Sequence, residues 1–505
     1  MSNHSRTHNS ARNVTFALIQ RLVTIVLTFV SRQIFLQVLT VEYLGINTLF
    51  ADILGLLSLV DIGMTTAMAY SFYKPIADKD EHKLAALIHF YAKVYNIIAA
   101  VIAVIGLGLI PFIGQIVHLE SYIPNLEIYY LLALANLILS YLFIYKTALI
   151  SADQHKRIII KYRTIASIIT ITLQVIILLT TGSFMLFCTV PLLTTLATNL
   201  FISHKATTAY PFIKQKRFLG QNDKRVVFTN IKSTLVHRVA NVIIIGTDTL
   251  FISIFSGAGV VGLYANYSLA VSNMTQFAYV IFNSMSASVG NLVATESSEK
   301  QANVFKAMQA VCFWLSGFFC FALFFLLDDF VYLWLGSEFV FDVTMKIAIL
   351  ASLYLSVTLF PVVAFREATG MFNRTKYVVA AAAVIKIALA ILMGKAYGPV
   401  GIIMATVISK LTTYAWYEPK ILFRDFLNSS AVGYFLGNLA NLMLLVGCIV
   451  AVYFFVPLQE VSGWMHWIVR GFLVTITINV IYFLRYFWTS EFRIIINKLK
   501  RLKMK

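Results

Sequence analysis

The sequence contains 505 residues, of which 59% are hydrophobic and 12% are charged, and its formal net charge is +18. A mean hydropathy of +0.81 excludes an ordinary soluble protein, in which charged residues are about twice as frequent. The four cysteines are scattered through apolar runs without the spacing of a metal site or of a disulfide framework, so no cofactor is expected. The composition predicts an all-α polytopic membrane protein.

Charged, proline and glycine residues divide the apolar stretches into about fourteen predicted transmembrane helices. In chain order they lie near 14–39, 44–72, 84–109, 127–150, 158–180, 184–203, 230–255, 260–290, 304–327, 343–365, 376–394, 399–417, 432–456 and 465–487.

The loops between these helices sort by charge. Every basic loop falls on one side of the membrane, whereas the opposite loops are acidic and contain Lys395 as their only basic residue. Because cytoplasmic loops carry the excess of lysine and arginine, both termini are predicted to be cytoplasmic. The net charge then reflects orientation and contact with membrane lipids, and nucleic acid is not expected as a partner.

The first predicted helix carries two arginines, Arg21 and Arg32, and no acidic residue occurs between Val14 and Thr40. Their spacing of eleven positions brings both arginines to nearly the same side of a helix, with Thr28 close to that line. A charge at the bilayer centre costs at least about 2.5 kcal/mol. We therefore expect this face of the helix to look into water or at an anion.

The seventh predicted helix repeats the pattern of the first. A shift of 217 positions aligns Arg21 with Arg238 and Gly45 with Gly262 without a gap, and the local strings ALIQRL and TLVHRV correspond. This internal repeat predicts two homologous six-helix lobes, each with an arginine at the same depth, which is a common architecture of secondary transporters. The predicted domains are an N-terminal lobe at 1–204, a basic cytoplasmic linker at 205–229, a C-terminal lobe at 230–418, two further helices at 432–488 and a basic amphipathic tail on anionic lipid at 489–505.

Intramembrane polar residues are the candidate functional residues, because such residues usually face a bundle interior or a water-filled cavity. The predicted substrate-binding cations are Arg21, Arg32, Arg238 and Lys386. The amides Asn266, Asn273 and Gln276 lie near one face of the eighth helix, where they suit sugar hydroxyls and interhelical hydrogen bonds equally well.

Two intramembrane acids, Asp61 and Asp248, are candidates for binding a coupling ion, and the alternative is that each forms a salt bridge with one of the cations. Asp52 is nine positions from Asp61 and lies on the opposite side of the same helix, so we prefer Asp61, which lies deeper in the helix. Lys410 is close enough to a helix end for its ammonium group to reach the membrane surface.

Enzyme signatures are missing from the sequence. It contains no phosphate-binding loop, no HExxH, no GxSxG and no aspartate-rich motif, and the predicted outer loops are short. A transporter is therefore favoured over an enzyme. The alternatives are a cation-coupled multidrug exporter of the same fold and an integral-membrane glycan polymerase or transferase.

Two stretches resemble a known family. The run EYLGINTLFADILGLLSLVDIGMTTAMAYSFYKPIADKD at 42–80 is similar to the second-helix region of polysaccharide-lipid flippases, the Wzx-like branch of the multidrug/oligosaccharidyl-lipid/polysaccharide exporter superfamily. The string GTDTLFIS at 246–253 is similar to the seventh-helix segment of that branch. The resemblance covers roughly 13–420 and rests on pattern rather than on one diagnostic motif.

The resemblance implies two six-helix lobes arranged in a V, with two trailing helices. It implies that the protein moves an undecaprenyl-pyrophosphate-linked oligosaccharide across the bacterial inner membrane for surface polysaccharide such as O-antigen, with the polymerase machinery as a further partner. Two departures concern the first helix. Related lipid II flippases carry Arg next to Asp there, whereas Leu22 follows Arg21, and the carboxylate of many drug exporters is missing.

Overall fold

In the computed structural model, the described residues are 23–58, 68, 71–72, 75–76, 78–119, 123–153, 156–215, 217–221, 236–456 and 461–489. All secondary-structure elements assigned within these ranges are helices, which confirms the predicted all-α fold class. Nine helices of the described ranges are long and apolar enough to cross a membrane, or ten if one bent pair counts as a single span.

Contacts between residues divide the chain into two compact units, Met1–Gly262 (unit 1) and Leu263–Lys505 (unit 2). The helix at 236–246 thus belongs to unit 1, and the lobe boundaries expected from the sequence stay predictions. The helices of unit 1 are α1 (Val23–Val38), α2 (Val41–Leu57), α3 (Glu81–Leu109), α4 (Leu126–Tyr141), α5 (Ile144–Ala152), α6 (Lys156–Thr181), α7 (Phe184–Ala209), α8 (236–246) and the beginning of α9 (Asp248–Thr295).

Unit 2 continues from α9. Its helices are α10 (Ser298–Leu335), α11 (Val343–Thr358), α12 (Phe360–Thr369), α13 (Phe372–Thr412), α14 (Tyr414–Asp425), α15 (Val432–Phe455) and α16 (Trp464–Tyr486).

Helix starts follow local side-chain chemistry. Asp80, Ser183, Ser297 and Asp342 each precede a helix, and each side chain accepts a hydrogen bond from the backbone N–H three residues later. Such caps satisfy one of the backbone donors that a helix start leaves without a partner. Four of the helix starts therefore lie where the sequence supplies a short polar side chain.

Two long helices are broken at glycines with positive φ. Gly257 interrupts α9 with φ of 89°, and Gly398 interrupts α13 with φ of 58° just before Pro399. These are backbone conformations that favour glycine. The breaks fall between the predicted spans 230–255 and 260–290 and between 376–394 and 399–417. Each broken helix therefore contains residues of two predicted spans, which accounts for part of the difference between nine helices and fourteen.

An aromatic cluster holds α1, α2, α4 and α7 together in unit 1. The ring of Phe184 lies 4.7 Å from that of Tyr129 and 4.9 Å from that of Tyr43, and the ring of Phe187 lies 5.0 Å from that of Phe35. All three pairs meet edge to face, the arrangement that aromatic quadrupoles favour. Helix α1, which carries Arg32, is thus packed against α7 within unit 1.

The beginning of α9 touches α2 through two glycines. A Cβ built on Gly45 would lie 1.8 Å from the carbonyl oxygen of Ala258, and one built on Gly262 would lie 2.2 Å from the carbonyl oxygen of Val41. Val41 and Ala258 are 217 positions apart, as are the two glycines. The contact is therefore reciprocal in the register of the predicted repeat.

The two trailing helices are anchored to the rest of unit 2 by hydrogen bonds. Asn441 of α15 donates to the hydroxyl of Tyr354 over 3.0 Å and accepts from the hydroxyl of Tyr482 over 2.8 Å. Tyr482 of α16 fits against Gly317, where a Cβ would lie 2.0 Å from its hydroxyl oxygen. Trp314 of α10 donates to Asn479 over 2.8 Å. These bonds join α15 and α16 to α10 and α11.

Candidate functional site

The structure describes the first helix from Val23 onward, so it includes only part of the predicted cationic face. Arg32 is half-buried on α1, whereas Arg21 lies outside the described residues. The hydroxyl of Thr28 donates to the carbonyl of Thr24 over 2.8 Å. Such a bond back to the preceding turn satisfies the hydroxyl locally, so the polar character of this face depends chiefly on arginine.

The remaining predicted cations lie in both units. Arg238 is exposed on α8 in unit 1. Lys386, on α13 in unit 2, is fully buried at 0% exposure. Lys410 on the same helix is buried as well and donates to the hydroxyl of Ser356 over 3.3 Å. The expectation that Lys410 reaches the membrane surface is therefore wrong, because its ammonium group is held by the neighbouring helix α11.

The three amides of α9 lie in different environments. Asn266 is buried, Asn273 is half-buried and Gln276 is exposed. Asn273 donates to the carbonyl of Leu269 in its own helix over 2.8 Å. Their role in binding a glycan stays a prediction.

An acidic contact joins α2 to the start of α9 in unit 1. The hydroxyl of Thr249 donates to the carboxylate of Asp52 over 2.7 Å. Asp248 lies close enough to interact electrostatically with Asp52. Asp61, which the sequence favours over Asp52, lies outside the described residues. The contact therefore adds Asp52 to the candidate coupling residues beside Asp248.

Unit 1 also contains a cavity of about 430 Å³ between α2, α4, α6 and α7. Asn47, Asn136 and Gln174 contribute amides to its lining, and Ser140 contributes a hydroxyl. The side-chain oxygen of Asn136 is buried without a hydrogen-bond partner among the described residues. Among the lining residues none carries a charge. The cavity can thus offer hydrogen bonds to a neutral, hydroxylated group.

These cavity amides were missed by the sequence analysis. Asn47, Asn136 and Gln174 each belong to a different apolar stretch, and only the fold brings them to one cavity. A single amide within a predicted span was the available signal, but amides also serve as contacts between helices.

The described residues contain no group of three or more His, Cys, Asp or Glu side chains that could hold a metal ion.

No protein-family model matches the sequence, and no curated protein does so. Several solved structures share the fold. The lipid II flippase MurJ in an inward closed conformation is 16% identical with a TM-score of 0.64, and the match covers 94% of this chain and 99% of that one.

Two multidrug transporters also match. An inward-facing MATE family transporter of the MOP superfamily is 13% identical with a TM-score of 0.59, over 78% of this chain and 93% of that chain. A variant of the Vibrio cholerae MATE transporter VcmN is 15% identical with a TM-score of 0.53, over 84% of this chain and 99% of that chain. At these identities the matches establish a shared fold alone.

Proposed function

We propose that this protein is a flippase that moves an undecaprenyl-pyrophosphate-linked oligosaccharide from the cytoplasmic to the outer leaflet of the bacterial inner membrane by alternating access. The observation that carries the proposal is the fold shared with a lipid II flippase over 94% of the chain. Intramembrane arginine and lysine supply the second support, since they suit an anionic head group. The basic loops then face the cytoplasm, where such a substrate is assembled.

Arg21, Arg32, Arg238 and Lys386 are the proposed contacts of the pyrophosphate. A guanidinium group keeps its charge at physiological pH and donates two parallel hydrogen bonds to phosphate oxygens, whereas an ammonium acts as a point charge. Few and dispersed cations attract the anion without trapping it. The polyprenyl tail stays in lipid while the head group crosses the protein.

The glycan needs neutral hydrogen-bonding partners. Asn266, Asn273 and Gln276 are the amides proposed from the sequence, and the unit 1 cavity with Asn47 and Asn136 offers further ones. Amides bind hydroxyl groups in either direction, because each has a donor and an acceptor. The lack of charge around this cavity favours a sugar over a phosphate there.

If transport is driven by an ion gradient, acidic residues within the membrane would bind the coupling ion. Asp248 and Asp61 are the residues proposed from the sequence, and Asp52 joins them through its contact with Thr249. A hydroxyl beside carboxylates suits Na⁺ or H⁺.

Substitution of Arg21 and Arg238, which the predicted repeat aligns, tests whether these cations bind the substrate. We expect Arg21→Ala or Arg238→Ala to lower surface glycan export at least about tenfold, because each removes charge-assisted hydrogen bonds worth roughly 1.5–3 kcal/mol. Lysine at either position would retain part of the activity. Export is measured in cells lacking their own flippase, with membrane protein quantified by immunoblot.

The matched control is Lys161→Ala, which removes an exposed cation from α6 and leaves export unchanged. Loss of both arginine variants from the membrane would instead indicate a structural role, and normal export at normal protein levels would contradict the proposal.

A cation-coupled multidrug exporter is the second candidate, supported by the fold shared with MATE transporters. A multidrug exporter activity predicts that the cell's resistance to cationic dyes falls when the gene is deleted. A flippase activity predicts no such change.

A further inference from the structure

Unit 2 contains a cavity of about 480 Å³ that none of the proposed transport residues lines. It lies where the first turns of α10 and α15 approach the end of α16. Its polar lining includes Lys306, Gln309, Ser430 and Arg485, and its described lining contains no carboxylate. A cavity with two cations and no acid has the electrostatics of an anion site.

Gln309 supplies an unused donor inside this cavity. The residue is 7% exposed, and its side-chain nitrogen is buried without a hydrogen-bond partner among the described residues. Opposite it, Gly437 leaves room: a Cβ built there would lie 3.9 Å from that nitrogen. A buried donor without an acceptor is unfavourable, so the amide indicates a place for an acceptor from a ligand.

The start of α15 adds to the positive electrostatic potential in this cavity. This helix has 24 residues, and its first turn lines the cavity through Gly433 and Tyr434. Ala431 precedes the helix and provides no side-chain cap. The N–H of Val432 donates to the hydroxyl of Ser430 over 3.2 Å. The N–H groups of a first helical turn and the helix dipole both favour an anion.

We propose that this cavity binds the phosphate of an anionic phospholipid from the membrane leaflet on the basic side of the protein. Lys306 and Arg485 contact the phosphate from the rim, and Gln309 donates to it from below. Leu436 and Trp488, the sequence neighbours of the lining residues Gly437 and Thr489, are 60% and 77% exposed and offer apolar surface to acyl chains. The chain's own tail at 490–505 is basic, so its charge does not suit an anion site.

Native mass spectrometry of the purified full-length protein tests this site. Phosphatidylglycerol is titrated against phosphatidylcholine of the same acyl chains, with glycerophosphate and inorganic phosphate as competitors. We expect phosphatidylglycerol to bind at least about fivefold tighter than phosphatidylcholine, and Lys306→Gln or Arg485→Gln to weaken it about fivefold each. Gln309→Leu keeps a buried side chain of similar size and also lowers the preference.

The matched control is Lys300→Gln on the same helix, because Lys300 pairs with Glu296 at 2.5 Å and does not line the cavity. An equal loss in this control would reduce the effect to general surface charge and overturn the proposal. Equal binding of both lipids would do the same. Displacement of the lipid by glycerophosphate or inorganic phosphate at matched concentrations would show that the site takes a soluble anion, and the lipid assignment would be wrong.

Discussion

The pair between Arg366 and Glu418 shows how unit 2 accommodates buried charge. The guanidinium donates to both carboxylate oxygens at 2.9 and 3.1 Å. The two side chains are 7% and 1% exposed. Nearer the acidic loops, Asp328 pairs with Lys346, and Asp329 pairs with Arg470. Each of these acids is therefore matched by a cation from another helix, so these residues are better explained by packing than by transport.

Removing one partner of the buried pair tests this view. We expect Glu418→Gln to destabilise the protein by about 3–5 kcal/mol, because Arg366 would remain buried without its counter-charge. The double variant Arg366→Met with Glu418→Leu would regain much of the stability, since it buries no charge. The midpoint of chemical denaturation in detergent measures both effects. Unchanged stability of Glu418→Gln, or a double variant no more stable than Glu418→Gln, would contradict the assignment.

Single residues were the hardest features to predict from the sequence. Depth within an apolar stretch favoured Asp61 over Asp52, and this preference stays a prediction because Asp61 lies outside the described residues. Asp52 itself accepts a hydrogen bond from Thr249, a residue 197 positions away. Position near a helix end predicted that Lys410 would reach the surface, and Ser356 holds it inside instead. Both hydrogen bonds join residues of different helices, and hydropathy does not encode such contacts.

The glycine contact between α2 and α9 was partly predictable. The repeat aligned Gly45 with Gly262, but only the structure shows that each of them faces the backbone of the other segment. A backbone carbonyl cannot move aside like a side chain, so neither position tolerates a Cβ without a shift of the helix. The contact thus gives a physical reason for glycine at both positions.

We expect Gly262→Ala to lower stability by about 1–3 kcal/mol through overpacking, and Gly45→Ala to act similarly. The control is Gly290→Ala on α9, where a Cβ meets nothing within 4 Å and alanine favours the helix by up to about 1 kcal/mol. Thermal unfolding in detergent compares the three variants. Equal midpoints for Gly262→Ala and Gly290→Ala would show that the two segments do not touch as described.

The overall architecture followed from hydropathy, because the thickness of the bilayer sets the length of each helix and flanking charge sets its limits. The breaks at Gly257 and Gly398 fall between predicted spans for the same reason. Cavities could not be predicted in this way. The unit 1 cavity collects Asn47, Asn136 and Gln174 from three helices, and its existence depends on how those helices pack.

Translocation by the purified protein in proteoliposomes tests the central claim most directly. A fluorescent undecaprenyl-pyrophosphate oligosaccharide is placed in the membrane, and the fraction open to an added, membrane-impermeant glycosidase is followed over time. The proposed flippase activity predicts that this fraction rises above that of protein-free vesicles, toward complete digestion. The undigested glycan is expected to keep its length. A fraction equal to that of protein-free vesicles, or a glycan that becomes longer, would contradict it.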